Sequence, residues 1–281
     1  MRLVILCGHP ESVYARRILE GLVARGRTGI HVLAAEAPDS RRTPRTLWKG
    51  HGARLPLALG AAVLRKLVRG LAGRTSPAPS LREVCEAQGG AYLRVPALNS
   101  EVCREVLTAL RPDLVLLGGA PIVRDTILAI PRLGTLNAHQ GRLPHYRGMN
   151  VLEWTILDGG RPCLTVHFVD PGVDTGDVIA VEPVPILPGD SVDRLKERAA
   201  SQQVDLLCRT VAMAEAGPLP RTPQAQEAGR QYFVLHPQLR ELAEVRLRRI
   251  TAAQQAGRSG AVSASRARRP AASAAASRPA A

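Results

Sequence analysis

Short, unbroken apolar runs separated by helical patterns constrain this chain more than any other feature of its sequence. Leu3-Val4-Ile5-Leu6 and Leu114-Val115-Leu116-Leu117 are too short for helices and too uniformly apolar for strands with one wet face, so they read as strands covered on both sides. Residues 30–34, 135–139, 164–169 and 178–184 are further extended candidates. Helical patterns lie between them. Residues 11–24 carry Val13, Ile18, Leu19 and Leu22; behind Asn99-Ser100, a natural cap, come Val102, Cys103, Val106, Leu107 and Leu110. Residues 151–157 end on Asp158-Gly159-Gly160, a helix stop. Strands alternating with helices predict an α/β fold, a Rossmann-like and mostly parallel sheet with helices on both faces.

The 281 residues carry a formal net charge of +14, which invites a nucleic-acid or membrane reading. The charge is concentrated. Residues 40–80 hold nine basic side chains and residues 245–281 hold eight arginines, neither segment with an acid, leaving 21 basic against 24 acidic groups elsewhere. In the first segment Leu59, Val63, Leu64, Leu67, Val68 and Leu71 fall at helical spacing with Arg65, Lys66 and Arg69 opposite, an amphipathic basic helix. It reads first as a surface helix with a solvated basic face; a surface for substrate phosphates, a partner or a membrane is the alternative. Residues 251–281 contain one large aliphatic residue, Val262, and are expected to form a disordered tail. The expected organisation is a catalytic domain over residues 1–215 with the insertion at 40–80, a short C-terminal helical extension over 216–250, and the tail.

Five cysteines without a C-x-x-C pair argue against a disulfide framework and a structural metal site. No apolar run approaches the roughly 18 residues of a spanning helix, so no transmembrane segment and a cytoplasmic location are expected. With 3% aromatic residues, stacking platforms for single-stranded nucleic acid are not expected.

The chemistry concentrates in Asn137-Ala138-His139-Gln140-Gly141-Arg142-Leu143-Pro144-His145-Tyr146-Arg147-Gly148. In an extended segment Asn137 and His139 project from one face. An imidazole moves protons near neutral pH and an amide NH₂ stabilises a developing oxyanion, although a structural histidine would satisfy this stretch taken alone. Farther on, His167-Phe168-Val169-Asp170-Pro171-Gly172-Val173-Asp174-Thr175-Gly176-Asp177 leaves a strand through turn chemistry. Asp170 reads as a turn cap. Asp174 lies between two constrained turns and can orient an imidazole and stabilise its charged form.

N-x-H followed by x-x-L-P-x-Y-R-G, then H-x-V-D-x-G-V-D-T-G about 30 residues on, resembles the folate-dependent formyltransferase family. That family includes methionyl-tRNA, glycinamide ribonucleotide and sugar-nucleotide formyltransferases. The resemblance spans roughly residues 1–235 and implies a catalytic triad of Asn137, His139 and Asp174. It further implies 10-formyltetrahydrofolate as donor, a primary amine as acceptor, no metal, and a pterin pocket lined by Leu117, Gly119 and Ile122. The implied oxyanion stabilisers are Asn137 and a protonated His139. Gly8-His9-Pro10-Glu11 is closer to the start of the tRNA-specific members than to the phosphate loop of the glycinamide ribonucleotide enzymes, whereas Gln140 and Arg142 depart from the loop of many relatives. A stand-alone enzyme acting on a small or nucleotide-linked amine, with an amino sugar nucleotide favoured, is the expectation, and nucleic acid is the less expected partner. The alternatives are a methionyl-tRNA formyltransferase-like activity, another folate-dependent formyl or acyl transfer, and a non-catalytic RNA- or membrane-binding module.

Overall fold

The structure, a computed structural model, describes residues 1–36 and 78–267. The basic segment at 40–80 therefore lies outside the described residues except for its last three, and so does the end of the tail from residue 268.

The described chain runs β1 (Leu3–Cys7), α1 (Val13–Val23), β2 (His31–Ala35), α2 (Leu81–Ala87), β3 (Tyr92–Val95), α3 (Glu101–Leu110), β4 (Leu114–Leu117), α4 (Asp125–Leu128), β5 (Gly134–His139), β6 (Tyr146–Gly148), α5 (Val151–Asp158), β7 (Cys163–Phe168), β8 (Val178–Pro183), α6 (Val192–Ala216), β9 (Arg230–Tyr232) and α7 (Pro237–Ala267). Seven strands form one sheet in the order β3-β2-β1-β4-β5-β7-β8. The five strands from β3 to β5 are parallel; β7 is antiparallel to β5, and β8 to β7. The chain builds outward from β1 in one direction and returns to build from β4 in the other, which opens a crevice at the carboxyl ends of the strands where the order reverses.

The apolar runs are buried on both sides, as their composition requires. Leu3, Ile5 and Cys7 of β1 pack with Ile18, Leu19 and Leu22 of α1 and Leu207 and Val211 of α6. Val4 and Leu6 face the opposite side, with Cys103 and Leu107 of α3 and Ile127 of α4. Val13 is exposed and Ala15 takes the inward position of the first turn instead, because Ser12 caps α1 and sets its phase.

Elements with no counterpart in the sequence reading include α2, opened by a capping box in which Ser80 and Glu83 satisfy each other's backbone amides, the edge strand β3, and β9, which pairs in parallel with β6 in a small second sheet. α7 runs to Ala267, into the segment expected from residue 251 as a tail. Ala243, Leu247 and Thr251, four residues apart, are buried on one face of α7, and the alanine-rich continuation has high intrinsic helix propensity.

Candidate active site

β5 carries Asn137 and His139 on one face while Leu136 and Ala138 enter the core. Across the antiparallel pairing Asn137 stands opposite His167 and His139 opposite Thr165, so cross-strand neighbours share that face. The Thr165 hydroxyl donates to the Gly141 carbonyl at 2.7 Å and accepts from the Leu143 amide at 3.3 Å. This pins the turn by which the chain leaves the sheet.

The turn then brings the chain back over the imidazole. His139 Nε2 lies 2.7 Å from the Tyr146 carbonyl oxygen; a carbonyl only accepts, so Nε2 carries the proton and Nδ1 is the basic nitrogen of the neutral ring. Gly141 permits this approach, since a Cβ there would lie 2.8 Å from both His139 Nε2 and the Tyr146 oxygen. Nδ1 faces Asp174 Oδ2 at 3.5 Å. His139 is buried, and that burial pushes its imidazole below the ordinary histidine range, against the opposing pull of Asp174. Burial thus favours the neutral ring, and the nitrogen placed to take up a proton is the one that faces the carboxylate.

Asp174 stands on the loop between β7 and β8 with a left-handed backbone, φ +54°. Burial alone would raise its carboxyl, but the hydrogen bond from His167, the charges of both histidines and the Gly148 amide lower it to about 2. That amide donates to Oδ2 at 2.9 Å. Asp170 caps the same loop, as read from the sequence, accepting from the Gly172 amide at 3.2 Å and the Thr175 hydroxyl at 2.5 Å.

His167 completes the cluster. It lay inside the motif without a role, and its position follows from strand register. Its Nδ1 donates to the Phe168 carbonyl at 2.7 Å, so Nε2 faces the Asn137 amide nitrogen at 3.3 Å and Asp174 Oδ1 at 3.4 Å. The Asn137 amide nitrogen is also 3.5 Å from Asp174 Oδ1. These long contacts exchange readily for a shorter bond to a ligand oxygen.

An open groove of about 310 Å³ runs beside the Asp174 loop, lined by Ile122, Val123, Arg124, Asp125, Thr126 and Pro171. Of the three residues expected to line a pterin pocket, Ile122 lines this groove and is 64% exposed. Leu117, the last residue of a central strand, packs into the core with Val123 and Ile127. Gly119 stands at the crevice mouth, its carbonyl accepting from the Gly8 amide at 3.2 Å. The shape of the groove wall comes from Asn99, which the sequence suggested as a helix cap. Its amide donates to the Ile122 carbonyl at 2.8 Å and its oxygen accepts from the Arg124 amide at 2.8 Å, while Ser100 alone caps α3.

Among the described residues no cluster of three or more histidine, cysteine or acidic side chains is arranged to hold a metal ion, and no helix is long and apolar enough to cross a membrane.

Fold and site together define a doubly wound α/β protein with an amide–imidazole–carboxylate centre at the carboxyl end of an inner strand, beside a groove. Comparison with known proteins narrows this class. The formyl transferase family model matches residues 65–211, and the chain belongs to that family. Methionyl-tRNA formyltransferase of Syntrophus aciditrophicus is 33% identical over 154 residues, 54% of this chain and 49% of the relative. The same enzyme of Methylobacterium nodulans is 35% identical over 162 residues, 57% and 51% of the two chains. The chain thus spans about half the length of the relatives it matches. Among solved structures, glycinamide ribonucleotide transformylase 1 from Symbiobacterium toebii superposes with a TM-score of 0.53 at 22% identity, over 79% of this chain and 94% of that one. A sugar N-formyltransferase from Shewanella sp. FDAARGOS_354 gives 0.54 at 14% identity, over 88% of each. These likenesses establish the formyltransferase fold.

Proposed function

We propose that the protein transfers a formyl group from 10-formyltetrahydrofolate to a primary amine, with Asn137, His139 and Asp174 as its catalytic residues. The observation that carries the reading is the convergence of these three side chains, 37 residues apart in sequence at the extremes, on a loop that borders a groove of about 310 Å³ lined by Ile122 and Pro171. Arg124 on the same wall suits an anionic tail.

In the proposed reaction the amine nitrogen bonds to the formyl carbon and the carbonyl oxygen becomes an oxyanion. Asn137 gives up its long contacts and donates its amide hydrogen to that oxygen, a contribution on the order of 10²–10³ in rate. His139 takes the proton shed by the attacking amine, directly or through water, and the imidazolium is held between Asp174 and the Tyr146 carbonyl. Return of that proton to the departing folate nitrogen lets the carbon–nitrogen bond break, releasing the formylated amine and tetrahydrofolate. Transfer through a placed acid–base group contributes on the order of 10²–10⁴.

The acceptor we favour is a nucleotide-linked amino sugar. The second reading, an aminoacyl-tRNA, is favoured by the methionyl-tRNA formyltransferases among the relatives. The two are separated by offering the purified protein 10-formyltetrahydrofolate with nucleotide-linked amino sugars or with methionine-charged initiator tRNA, and following tetrahydrofolate release. Turnover with the sugar nucleotides alone supports the first reading, and turnover with tRNA alone overturns it.

A further inference from the structure

The chain that leaves α6 returns to the active centre, although the sequence placed it in a separate C-terminal extension. Thr222 exchanges two backbone hydrogen bonds with Val178, 2.9 and 3.0 Å, just past the Asp174 loop. Eight residues later β9 pairs with β6, the strand whose Tyr146 carbonyl holds His139 and whose Gly148 amide holds Asp174. One continuous segment, residues 222–232, therefore braces both halves of the cluster.

Gln224 makes the contact closest to the chemistry. Its side-chain nitrogen donates to the Asp174 carbonyl at 3.1 Å and to the Gly176 carbonyl at 2.6 Å. Both partners are acceptors, so the orientation of the amide is forced. The opposite atom, Oε1, is buried with no hydrogen-bond partner among the described residues, which costs stability. Both amide hydrogens thus reach the loop. Asp174 needs such support because a non-glycine residue at φ +54° is held there only when its surroundings over-determine it.

We propose that Gln224 is a positioning residue that fixes the left-handed peptide of Asp174 and, through it, the distance between the carboxylate and His139. The proposal rests on the formyl-transfer reading for its kinetic arm. The charged and titratable groups facing the His139 ring are Asp174 from the loop and His167 from β7, with the Tyr146 carbonyl from β6. Of these Asp174 alone carries the negative charge that favours the imidazolium, so a displaced Asp174 makes His139 harder to protonate.

The test compares the full chain with Gln224→Met, which keeps length and bulk and removes both donors, and Gln224→Asn, which keeps the amide on a shorter stem. Steady-state kinetics with 10-formyltetrahydrofolate should show kcat at least tenfold lower in Gln224→Met, with the donor KM within threefold of wild type and Gln224→Asn in between. NMR titration of the histidine rings, assigned with His139→Gln, should show His139 protonating at least half a pH unit lower in Gln224→Met. A packing role predicts a Met variant with wild-type kcat and an unmoved titration, and that result overturns the proposal. If Gln224→Met does not fold, Gln224→Asn carries the same two readouts. If the wild-type protein transfers no formyl group, the functional reading fails, and the titration alone decides whether Gln224 positions Asp174.

Discussion

Replacing Asp174 by asparagine keeps the shape of the side chain and removes its charge, and the structure sets the size of the consequence. The carboxyl titrates at about 2 in the fold against an ordinary value of 3.8. At about 1.4 kcal/mol for each tenfold change in acidity, the ionised group contributes about 2.4 kcal/mol to stability. Because the folded value is the depressed one, that contribution is fully present above pH 4 and is lost as the pH falls through 2. About half of it, ~1.1 kcal/mol, is gone by pH 3. Other paired carboxylates, such as Asp190 with Arg198, are present in both proteins and cancel in the difference. Urea unfolding of wild type and Asp174→Asn at pH 5 and pH 3 should therefore show the stability gap between them narrowing by about 1 kcal/mol. A gap that stays constant or widens refutes an Asp174 held ionised by the two histidines and the Gly148 amide. In the same variant turnover should fall by a factor on the order of 10²–10⁴, since the imidazolium formed during proton transfer loses its counter-charge.

Other parts of the structure make separate predictions. Asn99→Ala removes both bonds that shape the Ile122–Arg124 wall, so KM for the folate donor should rise several-fold while kcat changes less than twofold in initial-rate kinetics. Gly148→Ala forces a Cβ to 2.2 Å from the Tyr232 carbonyl at φ +98°; it should part β6 from β9, lower kcat at least tenfold and cost about 1–3 kcal/mol in denaturant unfolding. Lys196→Met strips the partner from Glu153, which is 1% exposed and 2.6 Å from the ammonium. It should destabilise the fold by about 3 kcal/mol at neutral pH, and further replacing Glu153 by Met should recover most of the loss.

How far these features could be read beforehand depended on whether their cause is local. The inner strands were legible because burial on both faces demands uninterrupted apolar residues, as in Leu114–Leu117. β3 and β9 lacked that signature: Tyr92-Leu93-Arg94-Val95 is a half-exposed edge, and Arg230-Gln231-Tyr232 is polar and held by backbone bonds to β6. For α2 a signal existed in Ser80 and Glu83 at capping-box spacing, but its seven residues gave little periodicity. Asn137 and His139 were visible as residues two apart on a strand, and Asp174 through its motif. The role of His167 needed the register of β5 against β7. The groups that fix the imidazole and the carboxylate, the Tyr146 carbonyl and the Gly148 amide, belong to the backbone and have no letter in the sequence. Gln224 lies 50 residues beyond Asp174, and no local pattern connects the two. α7 continues across residues 251–267 because alanine needs little burial to extend a helix already anchored at Ala243 and Leu247, a tendency that composition read for burial alone does not weigh.

The central claim is that Asn137, His139 and Asp174 act together to move a formyl group. Its most direct test is single-turnover transfer from 10-formyltetrahydrofolate to a saturating amine acceptor, comparing wild type with His139→Ala and Asp174→Ala and checking folding by circular dichroism. The account predicts folded variants whose transfer rates fall at least a hundredfold below wild type. Folded variants that transfer formyl at the wild-type rate would contradict it.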